Sequence, residues 1–236
     1  EIPLRLVGSE MCIRDSLMKG DIYIAIEGEN NDGHNYLNQV DALNASAVIV
    51  DENKNYDNLN SQIISVDDTI KAIGDIAKSY RQKFTIPIIG ITGSNGKTST
   101  KELLSHVLDG KFKVHATNGN FNTSIGLPLT LLELNENHDI SILEMGANQL
   151  GDIEYLCSIT KPTHGLITKI SSAHLEGFGS IENIARTKGA LFSSLKHGIS
   201  FVNYADKKVK SAHSSGKKIS YGLIAECDFP ADIHYD

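Results

Sequence analysis

The run Ile86-Pro87-Ile88-Ile89-Gly90-Ile91-Thr92-Gly93-Ser94-Asn95-Gly96-Lys97-Thr98-Ser99-Thr100-Lys101 constrains this chain more than any other stretch. Apolar β-branched residues lead into a loop of small residues, then Lys-Thr, then a helical pattern from Ser99 to Leu108. Strand, loop and helix start follow one another. In such a loop the backbone N–H groups curl around phosphate oxygens, and the helix N-terminus adds partial positive charge. Lys97 then reaches the β- and γ-phosphates, and the Thr98 hydroxyl ligates Mg2+. The standard spacing G-x-x-x-x-G-K-[ST] puts its first glycine at position 91, where Ile91 stands, so Thr92-Gly93-Ser94-Asn95-Gly96-Lys97-Thr98 is a variant of that loop. The flanking strand and helix supply a context that a chance Gly-Lys-Thr turn lacks. They predict an ATP-type site running from Thr92 to Ser99.

Around this stretch the pattern is that of alternating strands and helices. Before it, strands are predicted at Asp21–Ile26, Ala47–Asp51 and Ile63–Val66, with a turn at Asn30–His34 and a short helix from Tyr36 to Leu43. Asp67-Asp68 offers a helix N-cap, and Ile70, Ile73, Ile76, Ala77 and Tyr80 mark the apolar face of the helix that follows. After it, strands fit Ile88–Thr92, Lys113–Ala116, Asp139–Glu144, His164–Thr168, Ile199–Asn203 and Lys218–Tyr221. Helices fit Ser99–Leu108, Thr123–Leu134, Gly151–Ser158, Ser180–Leu195 and Lys207–Ala212. The fold class expected is α/β: a small N-terminal α/β domain over residues 17–85, then a central domain over 86–236 with a mostly parallel sheet covered by helices on both faces. Ligands of such sheets sit at the carboxyl ends of the strands. Residues 1–16 are set aside as a non-native stretch, because Val7–Ser16 resembles a translated sequencing adapter. The chain ends in an apparent strand, so the central domain is expected to be incomplete.

The bulk numbers exclude several classes. Of 236 residues, 40% are hydrophobic and 22% charged, the balance of a chain able to bury a core. A net charge of -7 argues against a general nucleic-acid or membrane-surface binder. No apolar run is long enough for a transmembrane helix. Cys12, Cys157 and Cys227 lack C-x-x-C spacing, which leaves buried or incidental thiols and fits a reducing cytoplasm.

Four further places could carry chemistry. Glu144 closes a strand parallel to the loop strand, where a second Mg2+ ligand belongs, although a solvated acid at a strand end is the plainer alternative. His174 lies in the loop Ser171–Gly179 at a third strand end, and ordinary loop histidine and ligand are both open readings. Lys188 sits on a helix near Glu182 and Arg186, where a lysine is normally just solvated. Asn118-Gly119-Asn120-Phe121-Asn122-Thr123 reads as turn chemistry on spacing alone, with a polar ligand clamp as the alternative.

Taken together, these stretches resemble the Mur ligases, ATP-dependent amide-forming enzymes of peptidoglycan precursor synthesis. The carrying motifs are Thr92–Thr98, Gly119-Asn120-Phe121-Asn122-Thr123-Ser124-Ile125-Gly126-Leu127-Pro128-Leu129-Thr130, Glu144-Met145-Gly146-Ala147, His174–Ser180 and Ile184-Ala185-Arg186-Thr187-Lys188-Gly189. Lys19-Gly20-Asp21 and Asp32-Gly33-His34 add to them. The resemblance implies a ligase that adds D-alanyl-D-alanine to UDP-MurNAc-tripeptide through an acyl phosphate, in the cytoplasm, as a monomer, with no nucleic-acid partner and no membrane insertion. It implies ATP with one or two Mg2+ ions. Lys97, Glu144, His174 and Lys188 are then catalytic, with Lys188 the lysine that several members carry as a carbamate. Thr98, Glu144 and His174 hold metal. Thr92, Gly93, Ser94, Asn95, Gly96, Lys97, Thr98, Ser99 and Asn203 bind nucleotide, Asn203 through the motif Asn203-Tyr204-Ala205-Asp206. Asn120, Asn122 and Thr123 face the UDP-sugar, with Asn122-Thr123 standing where the family often has Asn-Asn. Residues 17–85 form the UDP-MurNAc-binding domain, and the family's third domain is expected to be absent. The alternatives are another Mur or folylpolyglutamate-type ligase, or an ATP-binding fragment without catalytic competence.

Overall fold

The structure, a computed structural model, describes residues 17–28, 31–56, 58–172 and 175–231. It divides into two compact units, one ending at Ile76 and one beginning at Ala77.

The first unit holds a parallel sheet of β1 (Ile22–Ile24), β2 (Ala47–Asp51) and β3 (Gln62–Val66), in that order. A short 3-10 turn at Gly33–Tyr36 and α1 (Leu37–Ala42) make the crossover from β1 to β2. Leu37, Val40, Tyr23, Ala25, Val48 and Val50 pack into its core. Helix α2 (Thr69–Arg81) begins where Asp68 accepts from Lys71 N, as a capping aspartate should. The division between the units falls inside this helix. Its last turn belongs to the second unit, where Tyr80 donates to Leu134 O and Arg81 to Thr160 O.

The second unit is built on β4 (Ile88–Thr92), whose residues are all buried. Burial on both faces is why this strand reads as an almost unbroken apolar run. The chain continues through α3 (Lys97–Asp109), β5 (Val114–Ala116), α4 (Gly126–Leu132), β6 (Ile140–Glu144), α5 (Asp152–Thr160) and β7 (His164–Ile167). Then come α6 (Leu175–Phe178), α7 (Ile181–Ser194), β8 (Ile199–Asn203), α8 (Lys207–Ser211), β9 (Lys217–Gly222) and β10 (Phe229–Pro230). The seven strands lie in the order β10-β9-β8-β7-β4-β6-β5, and every pair is parallel.

From β4 the chain runs out to the edge strand β5, returns to β6, and crosses β4 to reach β7. The strand order therefore reverses around β4, and a crevice at that point is where ligands of open α/β sheets bind. The register pairs Ile91 with Glu144 on one side and with Leu166 on the other, so β4, β6 and β7 end at one rim.

The two faces of β4 are covered differently. Ile89 and Ile91 pack with Ile142 against Leu104 and Leu108 of α3. Ile88 joins Leu127 and Leu131 of α4, Leu156 of α5, and Leu191 and Phe192 of α7 in the main core. On this second face two glycines lie side by side, Gly90 paired with Gly165. A Cβ on Gly90 would come within 2.9 Å of Leu191 Cδ1, and one on Gly165 within 2.8 Å of Leu195 Cδ1. Only glycine lets α7 lie this close to the sheet.

Helix α4 begins at Gly126, later than the Thr123 start expected from periodicity. A Cβ at Gly126 would sit 2.5 Å from Phe121 Cα, because the preceding loop folds back over the helix start. No helix among the described residues is long and apolar enough to cross a membrane. Cys157 and Cys227 are buried free thiols.

Candidate active site

The loop after β4 is shaped by two glycines with positive φ. Gly93 has φ +152°, and a Cβ there would meet Thr168 Oγ1 at 1.9 Å, so the loop and the end of β7 are in closest approach at this residue. Gly96 has φ +80° and forms the left-handed cap from which α3 starts at Lys97. The N–H groups of the first turn of α3 have no partners within the helix, and they supply the partial positive charge that a phosphate requires. Lys97 folds back so that its Nζ donates to Gly93 O at 3.1 Å. Thr98 and Ser99 are exposed at the mouth of the loop.

Several loop residues expected to touch nucleotide spend their polar groups on holding the loop. Thr92 is fully buried, and its hydroxyl donates to Met145 O at 2.8 Å. Ser94 donates through Oγ to Ser171 O at 2.9 Å and accepts from Ser171 N at 3.0 Å. Asn95 accepts from Thr168 Oγ1 through its carbonyl at 2.6 Å. The bonds of Ser94 and Asn95 fasten the phosphate loop to the segment Thr168–Ser171, the start of the loop that carries His174. His174 itself lies outside the described residues, as do residues 1–16 and with them Cys12.

Glu144 is 2% exposed at the end of β6. Its Oε1 accepts from Asn122 Nδ2 at 2.8 Å, and its backbone N–H donates to Thr117 Oγ1 at 2.9 Å. Among the described residues nothing bonds its other oxygen, Oε2, which is buried. A dry carboxylate oxygen without a donor is costly unless a cation completes it.

Lys188 corrects the expectation of a solvated helix lysine. It is 4% exposed, three residues before Leu191 on the face of α7 that the glycine pair brings against the sheet. Burial, with Lys97 nearby, pulls its ammonium down to about 8. Among the described residues it has no hydrogen bond or ion pair. Gly90 and Gly165 were the sequence signal for this placement, legible only once the two strands are known to be neighbours.

Lys97 and Lys188 line a cavity of about 480 Å3 together with Gly93, Asn122, Thr123 and Asn148. Of the other expected residues, Asn120 is exposed and does not line this cavity. Asn203 is turned toward β7, donating to Thr168 O at 3.1 Å, while Asp206 accepts from Ile170 N at 2.9 Å. The Asn203-x-x-Asp206 pair thus clamps the end of β7, beside a separate cleft lined by Lys169 and Lys207. Sequence reasoning also passed over Lys101, buried on α3, which donates to Thr117 O at 2.6 Å and ties the β5–α4 connection to the phosphate-loop helix.

A phosphate loop and two lysines without an ion pair among the described residues therefore line one crevice at the switch point, and Asn122 of its wall is bonded to the half-satisfied Glu144. The family model described as the Mur ligase middle domain matches residues 91–236. The chain belongs to the Mur ligase family. It is 41% identical over 214 residues to the UDP-N-acetylmuramoyl-tripeptide--D-alanyl-D-alanine ligase of Synechocystis sp., a match covering 88% of this chain and 47% of that protein. The Bacillus subtilis protein of the same name is 36% identical over 213 residues, covering 90% of this chain and 47% of its own length. Among solved structures, MurF from Acinetobacter baumannii superposes with a TM-score of 0.84 at 32% identity, covering 94% of this chain and 48% of that one. MurF ligase from Thermotoga maritima, solved in complex with ADP, gives 0.83 at 31% identity, covering 93% and 50%. The chain spans about half the length of the curated relatives it matches.

Proposed function

We propose that this chain is the ATP-binding portion of a cytoplasmic ligase that joins D-alanyl-D-alanine to UDP-MurNAc-tripeptide. The carrying observation is the crevice lined by Gly93, Lys97 and Lys188, whose wall residue Asn122 is bonded to a buried carboxylate, Glu144, that lacks a partner on one oxygen among the described residues. The names of the similar ligases and the ADP complex of the Thermotoga maritima protein support the reading. Residues 17–85 would then hold the UDP-MurNAc end and residues 86–236 the nucleotide, in a monomer.

The chemistry follows from the poor reactivity of a carboxylate toward amines, since its oxygen is a poor leaving group. Transfer of the γ-phosphoryl group of ATP to the terminal carboxylate of the tripeptide gives an acyl phosphate and ADP. The amine of D-alanyl-D-alanine adds to that carbonyl, loses a proton, and the tetrahedral intermediate expels inorganic phosphate. Two anions must approach before the first step, and Lys97, Lys188 and the helix N-terminus offset their repulsion. The first-turn N–H groups of α3 orient the phosphates, while the Thr168–Ser171 staple keeps the loop from reorganising as charge moves.

The donor set suits Mg2+, which usually takes one or two carboxylates and completes its shell with substrate phosphates and water. Glu144 Oε2 and the Thr98 hydroxyl would hold that ion, and His174 would serve a second. Bound there, Mg2+ would neutralise the phosphates and polarise the transferred group. Lys188, lowered to about 8, retains a neutral fraction of about a tenth at pH 7, and a neutral amine is what a carbamate requires.

The test is release of phosphate from ATP by the chain, with UDP-MurNAc-tripeptide and D-alanyl-D-alanine added singly and together. Phosphate release that requires both supports the ligase. Tight ADP binding with no release under any combination would favour a nucleotide-binding fragment. Turnover with a shorter UDP-MurNAc-peptide and a single amino acid would assign another branch of the family.

A further inference from the structure

The side-chain amide of Asn122, on the wall of the cavity, donates to Glu144. We propose that Asn122 is a positioning residue that sets the cation selectivity of the site, by presenting Glu144 as a one-oxygen ligand. The inference rests on the reading above, in which Glu144 ligates a divalent cation.

A carboxylate can bind a metal through one oxygen or chelate it through both. Ca2+ accepts chelation readily, with about 6–8 ligands at about 2.3–2.6 Å, whereas Mg2+ demands near-ideal octahedral geometry at about 2.0–2.1 Å. In Glu144 the choice is made by the protein. Asn122 Nδ2 donates to Oε1 at 2.8 Å, and only Oε2 is left without a partner among the described residues. Turning the carboxylate to offer both oxygens would break that bond inside a buried site.

Asn122 cannot yield easily. Its carbonyl accepts from Gly146 N at 2.8 Å, so it is held by its backbone to the segment that follows β6. Its Oδ1 occupies the space beside Gly146, where a Cβ would come within 2.7 Å of it. At the other end of the same connection, Thr117 accepts from Glu144 N through Oγ1 and from Lys101 Nζ through its carbonyl. Glu144 is therefore gripped by both ends of the β5–α4 connection, Thr117 fixing its backbone and Asn122 its carboxylate. The arrangement leaves one oxygen of Glu144 without a partner among the described residues.

The experiment is Mn2+ binding to the chain in the presence of ADP, followed by electron paramagnetic resonance, with Mg2+ and Ca2+ as displacing ions. It is run on the wild type, Asn122→Ala and Asn122→Leu. The leucine variant keeps the side-chain volume beside Gly146 while removing the donor, and thermal melting shows which variants are folded. The expected result is a Ca2+/Mg2+ affinity ratio that rises about tenfold in the folded variants. An unchanged ratio, including a parallel loss of affinity for both ions, overturns the inference and leaves Asn122 a structural residue. If the wild-type chain retains no Mn2+ beyond that carried by ADP alone, the metal role of Glu144 falls and this inference falls with it. If the wild type binds Mn2+ and the variants keep its ion preference, only the inference fails.

Discussion

Charged side chains gather at the carboxyl ends of both parallel sheets, and the two gatherings are built on opposite plans. In the small unit, Lys54 Nζ lies 2.8 Å from Glu27 Oε2 and 2.9 Å from Asp32 Oδ2. The other oxygen of Asp32 accepts from both His34 N and the His34 ring, and His34 Nε2 in turn accepts from Asp51 N at 3.0 Å. Burial alone would raise the Asp32 carboxyl, but the bonds from Lys54 and His34 outweigh it and hold the group down at about 2. Every member has a partner. In the large unit, among the described residues, Lys188 has none and Glu144 has one for only one of its oxygens. Each buried ion there is unfavourable in the protein alone. A cluster that satisfies itself stabilises its own loops, and a cluster that does not is left to be completed by a ligand.

This contrast can be broken by substitution, beginning where the effect should be largest. Lys97→Ala should lower ATP turnover by about a hundred- to thousandfold, read as phosphate release, while leaving the melting temperature nearly unchanged. A large loss of stability instead would mean that Lys97 serves the fold. Gly93→Ala combines a left-handed φ with a Cβ 1.9 Å from Thr168 Oγ1, and should destabilise by about 3 kcal/mol in denaturant titration.

A comparable loss is expected from acid at His115, buried on the edge strand and outside both clusters. Burial, and then His138, lower its imidazole from its ordinary 6.5 to about 4. The unfolded chain takes up this proton first, so its contribution is complete above pH 6.5, is lost as pH falls toward 4, and changes no further below that. The loss amounts to about 3 kcal/mol, and His115→Asn should flatten that part of the stability profile. Asp32→Ala should cost about 1–2 kcal/mol by removing a cap and the shared acceptor of Lys54 and His34, with ADP affinity intact. Glu27→Gln, at the exposed rim of the same cluster, should change stability by less than about 0.5 kcal/mol. If Asp32→Ala weakened ADP binding, the division between self-satisfied and ligand-completed clusters would not hold.

Much of this molecule was legible in order along the chain. The bounds of β2 and β4 follow from apolar β-branched runs, because strands buried on both faces read as almost unbroken apolar stretches. The phosphate loop was legible because its function depends on backbone N–H groups and on consecutive residues, which sequence displays directly. The apolar run before Glu144 placed that residue at a strand end, and it does end β6.

What the sequence by itself determined is therefore local: which segments form strands, where the chain must turn, and where a helix N-terminus meets a phosphate. The tertiary structure alone decided what each polar side chain is for. Lys188 reads as a solvated helix residue until Gly90 and Gly165 are seen side by side, since only that pairing lets α7 bury it. Asn203 reads as a ligand contact until its amide is found on Thr168 O, and Asn122 as a turn residue until it is found on Glu144. The physical reason is that burial and hydrogen-bond partners are relations between segments distant in sequence. A side chain's chemistry is written at its own position, but its vacancy or commitment is set by neighbours that only folding supplies.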